Sequence, residues 1–255
     1  MTKTNAFLYS SLMTLLISCS VPKNTTPTTP PVQRIPAKFD FSPPSRAQSG
    51  STGITIAIVR PVYVGKNAEY YISPYKEMSA SMGADFEELL TAKGFTIRGP
   101  FGSRDEMVYN DKINSSFIIE IVIELDPKYN QKYVSKTNWG SILDKSQSST
   151  TQKMNGEITL AGRLVINAKS SKYGELLWKK NIDLEPASFT YSGSMTWQGI
   201  PTISEELNKD NQVYNTLARE LEKFYQSALN LAWQQIDPAE MKSVALQGKK
   251  ADAKE

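Results

Sequence analysis

Any chemistry in this chain would have to run on carboxylates, lysine or tyrosine, and hydrolysis on pairs of Asp and Glu alone. Glu120 and Glu124 are the only charges in the apolar run Ser116–Leu125, and the two-residue period of a strand puts both on one face. Such a pair suits general acid and base work. It equally marks the solvated face of a sheet, and with no third group to complete a site the solvated face is the favoured reading. Histidine is absent and cysteine occurs once. That removes Ser-His-Asp and Cys-His nucleophile systems and the usual zinc sites, which need imidazole or thiolate. The sequence therefore points to a protein that is not an enzyme and has no cofactor.

Charge narrows the partners further. A formal net charge of +3 over 255 residues, with basic and acidic side chains interspersed, gives no phosphate-neutralising footprint, so nucleic acid is not an expected partner. Apolar residues at 40% and charged residues at 22% are globular proportions.

The single thiol is informative by position. Lys3 precedes the mostly apolar stretch Ala6–Ile17, which ends in Leu16-Ile17-Ser18-Cys19. A charged start and an apolar run of about a dozen residues make a secretory signal, too short for a spanning helix of roughly 20. Leucine three residues before the cysteine and serine directly before it resemble a bacterial lipobox. Cys19 is thus the expected site of lipidation, with 1–18 as the cleaved signal, and the expected membrane partner is reached through that lipid. Several acyl chains, at about 0.8 kcal/mol per buried methylene, hold far more firmly than one. Ser20, where an aspartate would resemble the inner-membrane sorting pattern, points to the outer membrane of a Gram-negative envelope.

Residues 19–50 read as the lipidated cysteine followed by a Pro/Thr/Ser-rich tether that extends to about 90 Å at polyproline-like rise, with Phe39 and Phe41 as its only candidates for packing onto the domain. Residues 51–238 form the expected single domain, and the polar residues 239–255 a frayed tail. The fold class is α/β (α+β). Ile54–Val59 reads as a buried strand stopped by Pro61. Pro74–Lys93 carries Met78, Met82, Phe86, Leu89 and Leu90 at helical spacing, with Gly94 as the stop. Phe95–Arg98 then completes a strand-helix-strand unit with parallel strands. Ser116–Leu125 is the strongest strand. Met154–Ala168 and Glu175–Leu184 read as an antiparallel pair joined by a hairpin turn at 169–174. Ser204–Ile236 reads as one long C-terminal helix packed on the sheet. Residues 137–153 and 188–201 are expected as long loops, with Trp139, Tyr191 and Trp197 either pinning them or lending binding surface.

Taken in order, Ile58-Val59-Arg60-Pro61, Leu89-Leu90-Thr91-Ala92-Lys93-Gly94-Phe95, Asp126-Pro127-Lys128 and Met154-Asn155-Gly156-Glu157-Ile158 resemble the neuraminyllactose-binding haemagglutinin, or HpaA-like, family of outer-membrane lipoproteins. The resemblance implies a surface adhesin that binds sialylated glycans. The family's proposed binding segment corresponds here to Asp126–Lys136, with Lys128, Lys132 and Lys136 at every fourth position and Tyr129, Tyr133 and, just beyond, Trp139 as sugar-stacking faces. The stretch lacks arginine, whose planar fork grips a carboxylate more specifically than an ammonium does. A solvated loop with exposed lysines is the competing account. A periplasm-facing accessory lipoprotein, docking an envelope protein partner through its long helix, is the alternative function.

Overall fold

The computed structural model describes residues 32–137, 150–194 and 202–253. Strand β1 (Thr55–Tyr63) leads through a 3-10 turn, Ala68–Tyr71, into helix α1 (Tyr75–Ala92) and strand β2 (Thr96–Phe101). The chain continues through α2 (Tyr109–Ile113), β3 (Phe117–Leu125), β4 (Lys128–Thr137), β5 (Thr150–Lys169), β6 (Leu176–Ser194), α3 (Ile203–Lys209), α4 (Asn211–Gln235) and α5 (Pro238–Asp252).

The opening unit forms as its periodicity dictates. Met78, Met82, Phe86, Leu89 and Leu90 of α1 are all buried, and Gly94 turns the chain at φ +89°, a backbone state that glycine adopts without steric cost. β1 pairs parallel with both β2 and β3. It does not stop at Pro61. The β1–β3 register shifts between Val59 and Val62, and a bulge is where a strand tolerates a residue with no N–H.

β5 organises the rest of the sheet. Residues 162–169 pair antiparallel with β3, residues 150–159 with β4, and β6 runs along the other side of nearly the whole strand. β3 and β4 thus follow one another along a single edge of β5, and the Asp126 amide keeps the connection in line by donating to Ala161 O at 2.8 Å. The stretch Asp126–Lys136, for which a solvated loop is the competing account, is therefore largely strand. So are residues 188–194, an expected loop that extends β6.

One face of the sheet carries the core. Ile56 and Ile58 of β1, the odd positions of β3, and Ile158, Leu160, Leu164 and Ile166 of β5 pack with α1 and α4. Three further expectations are corrected here. Residues 203–235 are two helices: Thr202 and Glu205 form a capping box on α3, while extended Asp210 caps α4 by accepting from Gln212 N and Val213 N. Residues 239–252 are not a tail but most of α5, which starts on the Asp237 cap with Pro238 in its first turn and buries Met241, Val244, Ala245, Gly248 and Ala251.

The third correction concerns residues 32–50. Asn211 Nδ2 donates to Val32 O, Asn215 Nδ2 to Gln33 O and Gln226 Nε2 to Asp40 O, while Asn215 Oδ1 accepts from Ile35 N and Glu222 Oε1 from Lys38 N. Side chains spaced along α4 thus satisfy the main chain of residues 32–40, and the Arg34 guanidinium lies 3.8 Å over the Tyr214 ring. Phe39 and Phe41 are buried, so the residues singled out as packing candidates hold the end of the segment to the domain.

Candidate functional site

The sheet face turned away from α1 and α4 carries a small apolar cluster of Ala57, Val59, Met107 and Ile118 over β1 and β3, and its outer part, on β4, β5 and β6, forms a polar grid. On this face β4, β5 and β6 align Lys128 with Thr159 and Ser188, Asn130 with Glu157 and Thr190, and Lys132 with Asn155 and Ser192. Strand alternation creates the pattern, since the intervening residues Ile158 and Leu160 belong to the core. A recess of about 390 Å³ is lined by Asn130, Asn155, Gly156, Glu157, Thr190 and Ser192, with Tyr191 beside Gly156. Ser192 Oγ donates to Asn155 Oδ1 at 3.1 Å, and the Thr159 and Ser188 hydroxyls lie 2.9 Å apart. Lys128 Nζ is 3.7 Å from Asp126 Oδ2 in an exposed pair. Cation, amide, carboxylate and hydroxyl in adjacent rows make a surface for hydrogen bonding a polar, hydroxyl-rich ligand.

The register divides the residues picked out by sequence. Lys128, Lys132 and Lys136 occupy even positions of β4 and share the open face, because a spacing of four is a multiple of the strand period. Tyr129 and Tyr133 occupy odd positions, on the other face. Tyr129 is half-buried against the core; its hydroxyl lies 3.2 Å from that of Tyr75 and donates to Glu69 Oε1 at 3.4 Å. Burial, followed by Tyr75, pushes the Tyr129 hydroxyl well above the ordinary tyrosine range. The structure thus makes Tyr129 the root of β4 rather than a neighbour of Lys128, and Tyr63, stacked 4.4 Å from Tyr70, extends the same aromatic cluster. Lys132, Tyr133 and Lys136 are placed by backbone register alone; Trp139, Trp197 and Cys19 lie outside the described residues.

Glu120 and Glu124 also reach the open face, each beside a cation of β5. Glu120 lies 2.5 Å from Lys169 Nζ, and Glu124 is bridged by Arg163. Two carboxylates already paired with separate cations do not form an acid and base couple. Among the described residues no group of three or more His, Cys, Asp or Glu side chains is arranged to hold a metal ion, and no helix is long and apolar enough to cross a membrane.

Asp85 is the ionisable group that sequence reading passed over. It sits within the apolar stripe of α1 between Met82 and Leu89, almost fully buried, and an acid at such a position was the available signal. Its carboxylate accepts from Phe41 N at 2.7 Å and Tyr225 Oη at 2.5 Å.

No protein-family model matches the chain, and no curated protein matches it. Among solved structures, one from Helicobacter pylori, described as a homologue of neuraminyllactose-binding haemagglutinin, superposes with a TM-score of 0.57 at 11% identity, covering 85% of this chain and 100% of that one. The two share a fold. At that identity the comparison speaks of fold alone. A lipoprotein from Neisseria meningitidis matches at TM-score 0.22 and 12% identity, over 65% of this chain and 99% of its own. A minor lipoprotein from Acinetobacter baumannii matches at TM-score 0.19 and 10% identity, over 67% and 90%. Overlaps of that size carry no argument about this chain.

Proposed function

We propose that the mature protein is a lipoprotein of the bacterial cell envelope, anchored in the outer membrane by lipid on Cys19, that acts by binding rather than catalysis. Its ligand is a sialylated glycan, held on the open face of β4, β5 and β6. The observation that carries this reading is the grid in which Lys128 and Lys132 flank Asn130 and are backed by amide and hydroxyl rows. Ammonium groups meet the sialic acid carboxylate, and the amides and hydroxyls meet the sugar hydroxyls. The name of the Helicobacter pylori neighbour and the family resemblance of the sequence lean the same way.

A periplasm-facing accessory lipoprotein is the second reading. Val62 and Val64, each about half exposed at 52% and 51%, favour a protein partner near the top of β1. Two measurements separate the readings: cleavage of the full-length protein on intact cells by an impermeant protease, with a periplasmic protein as the integrity control, and titration of the protein with sialyllactose against lactose. Cleavage with selective binding of the sialylated sugar supports the adhesin. Protection from protease with equal indifference to both sugars rules it out in favour of the periplasmic reading.

A further inference from the structure

We infer a second binding site at the opposite end of the sheet, a cleft that takes a small amphipathic anion: one carboxylate, phosphate or sulfate on a short apolar body. The cleft lies where β3 begins and has a volume of about 470 Å³, within the range of small-ligand sites. Three separate elements build it. α2 supplies Tyr109, Lys112 and Ile113, the β5–β6 hairpin supplies Lys172, and the end of α5 supplies Lys249 and Asp252.

Both halves of the ligand chemistry are present. The side chains of Lys112 and Lys249 have no ion-pair or hydrogen-bond partner among the described residues, and they line one cavity together with Lys172. Among the described residues of the lining the one carboxylate is that of Asp252, whose Oδ1 accepts from Lys172 N at 3.1 Å. Among the described residues the lining thus holds three lysines against one carboxylate and is positive on balance. Its apolar wall is Tyr109, 67% exposed, and Ile113, 51% exposed. Aromatic and aliphatic surfaces of that size left in water beside ammonium groups suit a ligand that is itself apolar at one end and anionic at the other.

The approach of α5 is specific to the sequence. A Cβ on Gly248 would lie 2.5 Å from the carbonyl oxygen of Ser116, so only glycine lets the helix close against the start of β3 and bring Lys249 to the cleft. Val32 is held at the other end of the sheet, by Asn211 at the start of α4. Residues 32 onward thus join the domain at the end of the sheet away from this cleft, near Ser73, whose hydroxyl lies 3.0 Å from that of Tyr214.

The test uses the full mature chain with Cys19→Ser, titrated with decyl phosphate and with decyl maltoside below their critical micelle concentrations. One site with at least about a tenfold preference for the phosphate is expected, the size of a charge-assisted contact. Lys112→Gln/Lys249→Gln should erase the preference while leaving the melting temperature within a degree or two. Tyr109→Ala should weaken both probes alike. Equal affinities for the two probes, or an undiminished preference in the double variant, overturns the site. Co-sedimentation with phosphatidylglycerol vesicles in the absence of monomer binding also overturns it, in favour of a membrane-contacting surface.

Discussion

Tyr225 of α4 donates its hydroxyl hydrogen to Asp85 of α1 at 2.5 Å, and the same carboxylate oxygen accepts the Phe41 amide at 2.7 Å. One buried acid therefore ties together two helices and the segment leading in from the N-terminus. Burial raises the Asp85 pKa above the ordinary carboxyl range, and the hydrogen bonds from Tyr225 and Phe41 pull against it. The sign follows. Below the unfolded value of about 3.9 both states are protonated and Asp85 costs nothing. As pH rises through the higher folded value the unfolded chain releases its proton more readily, so this group lowers stability until both states are ionised. Urea unfolding of the wild type and of Asp85→Asn should show the wild type losing stability relative to the variant over that window and then running parallel to it. A difference that grows in favour of the wild type would contradict the assignment. Asp85→Ala strands both donors and should cost about 2–4 kcal/mol at pH below that window, and less above it, where the wild type has lost the contribution of the protonated acid.

Phe41 is 2% exposed, and its deletion to alanine should cost about 3–5 kcal/mol. The larger consequence concerns domain limits. A fragment starting at residue 51 lacks Phe39, Phe41 and the main-chain bonds made by α4, so it should melt many degrees below a fragment starting at residue 32. Thermal denaturation followed by circular dichroism compares the two directly; equal melting temperatures would mean that residues 32–50 are a tether after all.

What the sequence made legible follows from where stability resides. β1, α1 and β3 bury large side chains at clear periods, and buried Phe95 leads into the only partly covered β2, so the identity and order of these elements and the parallel pairing of β1 with β2 could be read. Residues 32–41 could not, because side chains of α4 about 180 positions away bind much of their backbone. α5 was hidden because its buried stripe is mostly small, with Ala245, Gly248 and Ala251 beside Met241 and Val244. The break at Asp210 was legible in principle, since aspartate is a strong helix cap, but the apolar stripe running on from Val213 masked it. At the candidate site the lysine spacing was visible and its meaning ambiguous: four residues is near one helical turn and also two strand periods. Only the pairing of β4 with β5 shows that Lys128 shares a face with Asn130 and that Tyr129 does not.

Gly248 tests the docking of α5. The oxygen its Cβ would meet belongs to the backbone of Ser116 and cannot rotate aside, so Gly248→Ala should cost about 1–3 kcal/mol by forcing the helix away from the sheet. Lys250→Ala, an exposed change on the same helix, should stay within about 0.5 kcal/mol. Chemical denaturation of both variants distinguishes steric displacement from a general loss of helix; equal effects would show that α5 has room to spare at Ser116.

The grid makes a prediction in which opposite charges move binding in opposite directions. Lys128 and Glu157 are both exposed, in adjacent rows on the same sheet face, so substituting either should change stability by no more than about 0.5 kcal/mol. For an anionic glycan, Lys128→Glu should weaken sialyllactose binding at least about tenfold, the scale of a lost charge-assisted hydrogen bond. Glu157→Gln should strengthen it by removing a like charge from the centre of the recess. Lys128→Arg should strengthen it too, because a guanidinium holds a carboxylate through two parallel bonds where an ammonium offers a point charge. Neutral lactose should register none of the three changes beyond about twofold, since its hydroxyls meet the Asn130, Asn155, Thr190 and Ser192 rows rather than the charges. Isothermal titration of the four proteins with both sugars decides the matter: a shift in lactose affinity that follows the sialyllactose shift would place the sugar on the grid without its carboxylate near Lys128, and no shift for either sugar would remove the ligand from this face.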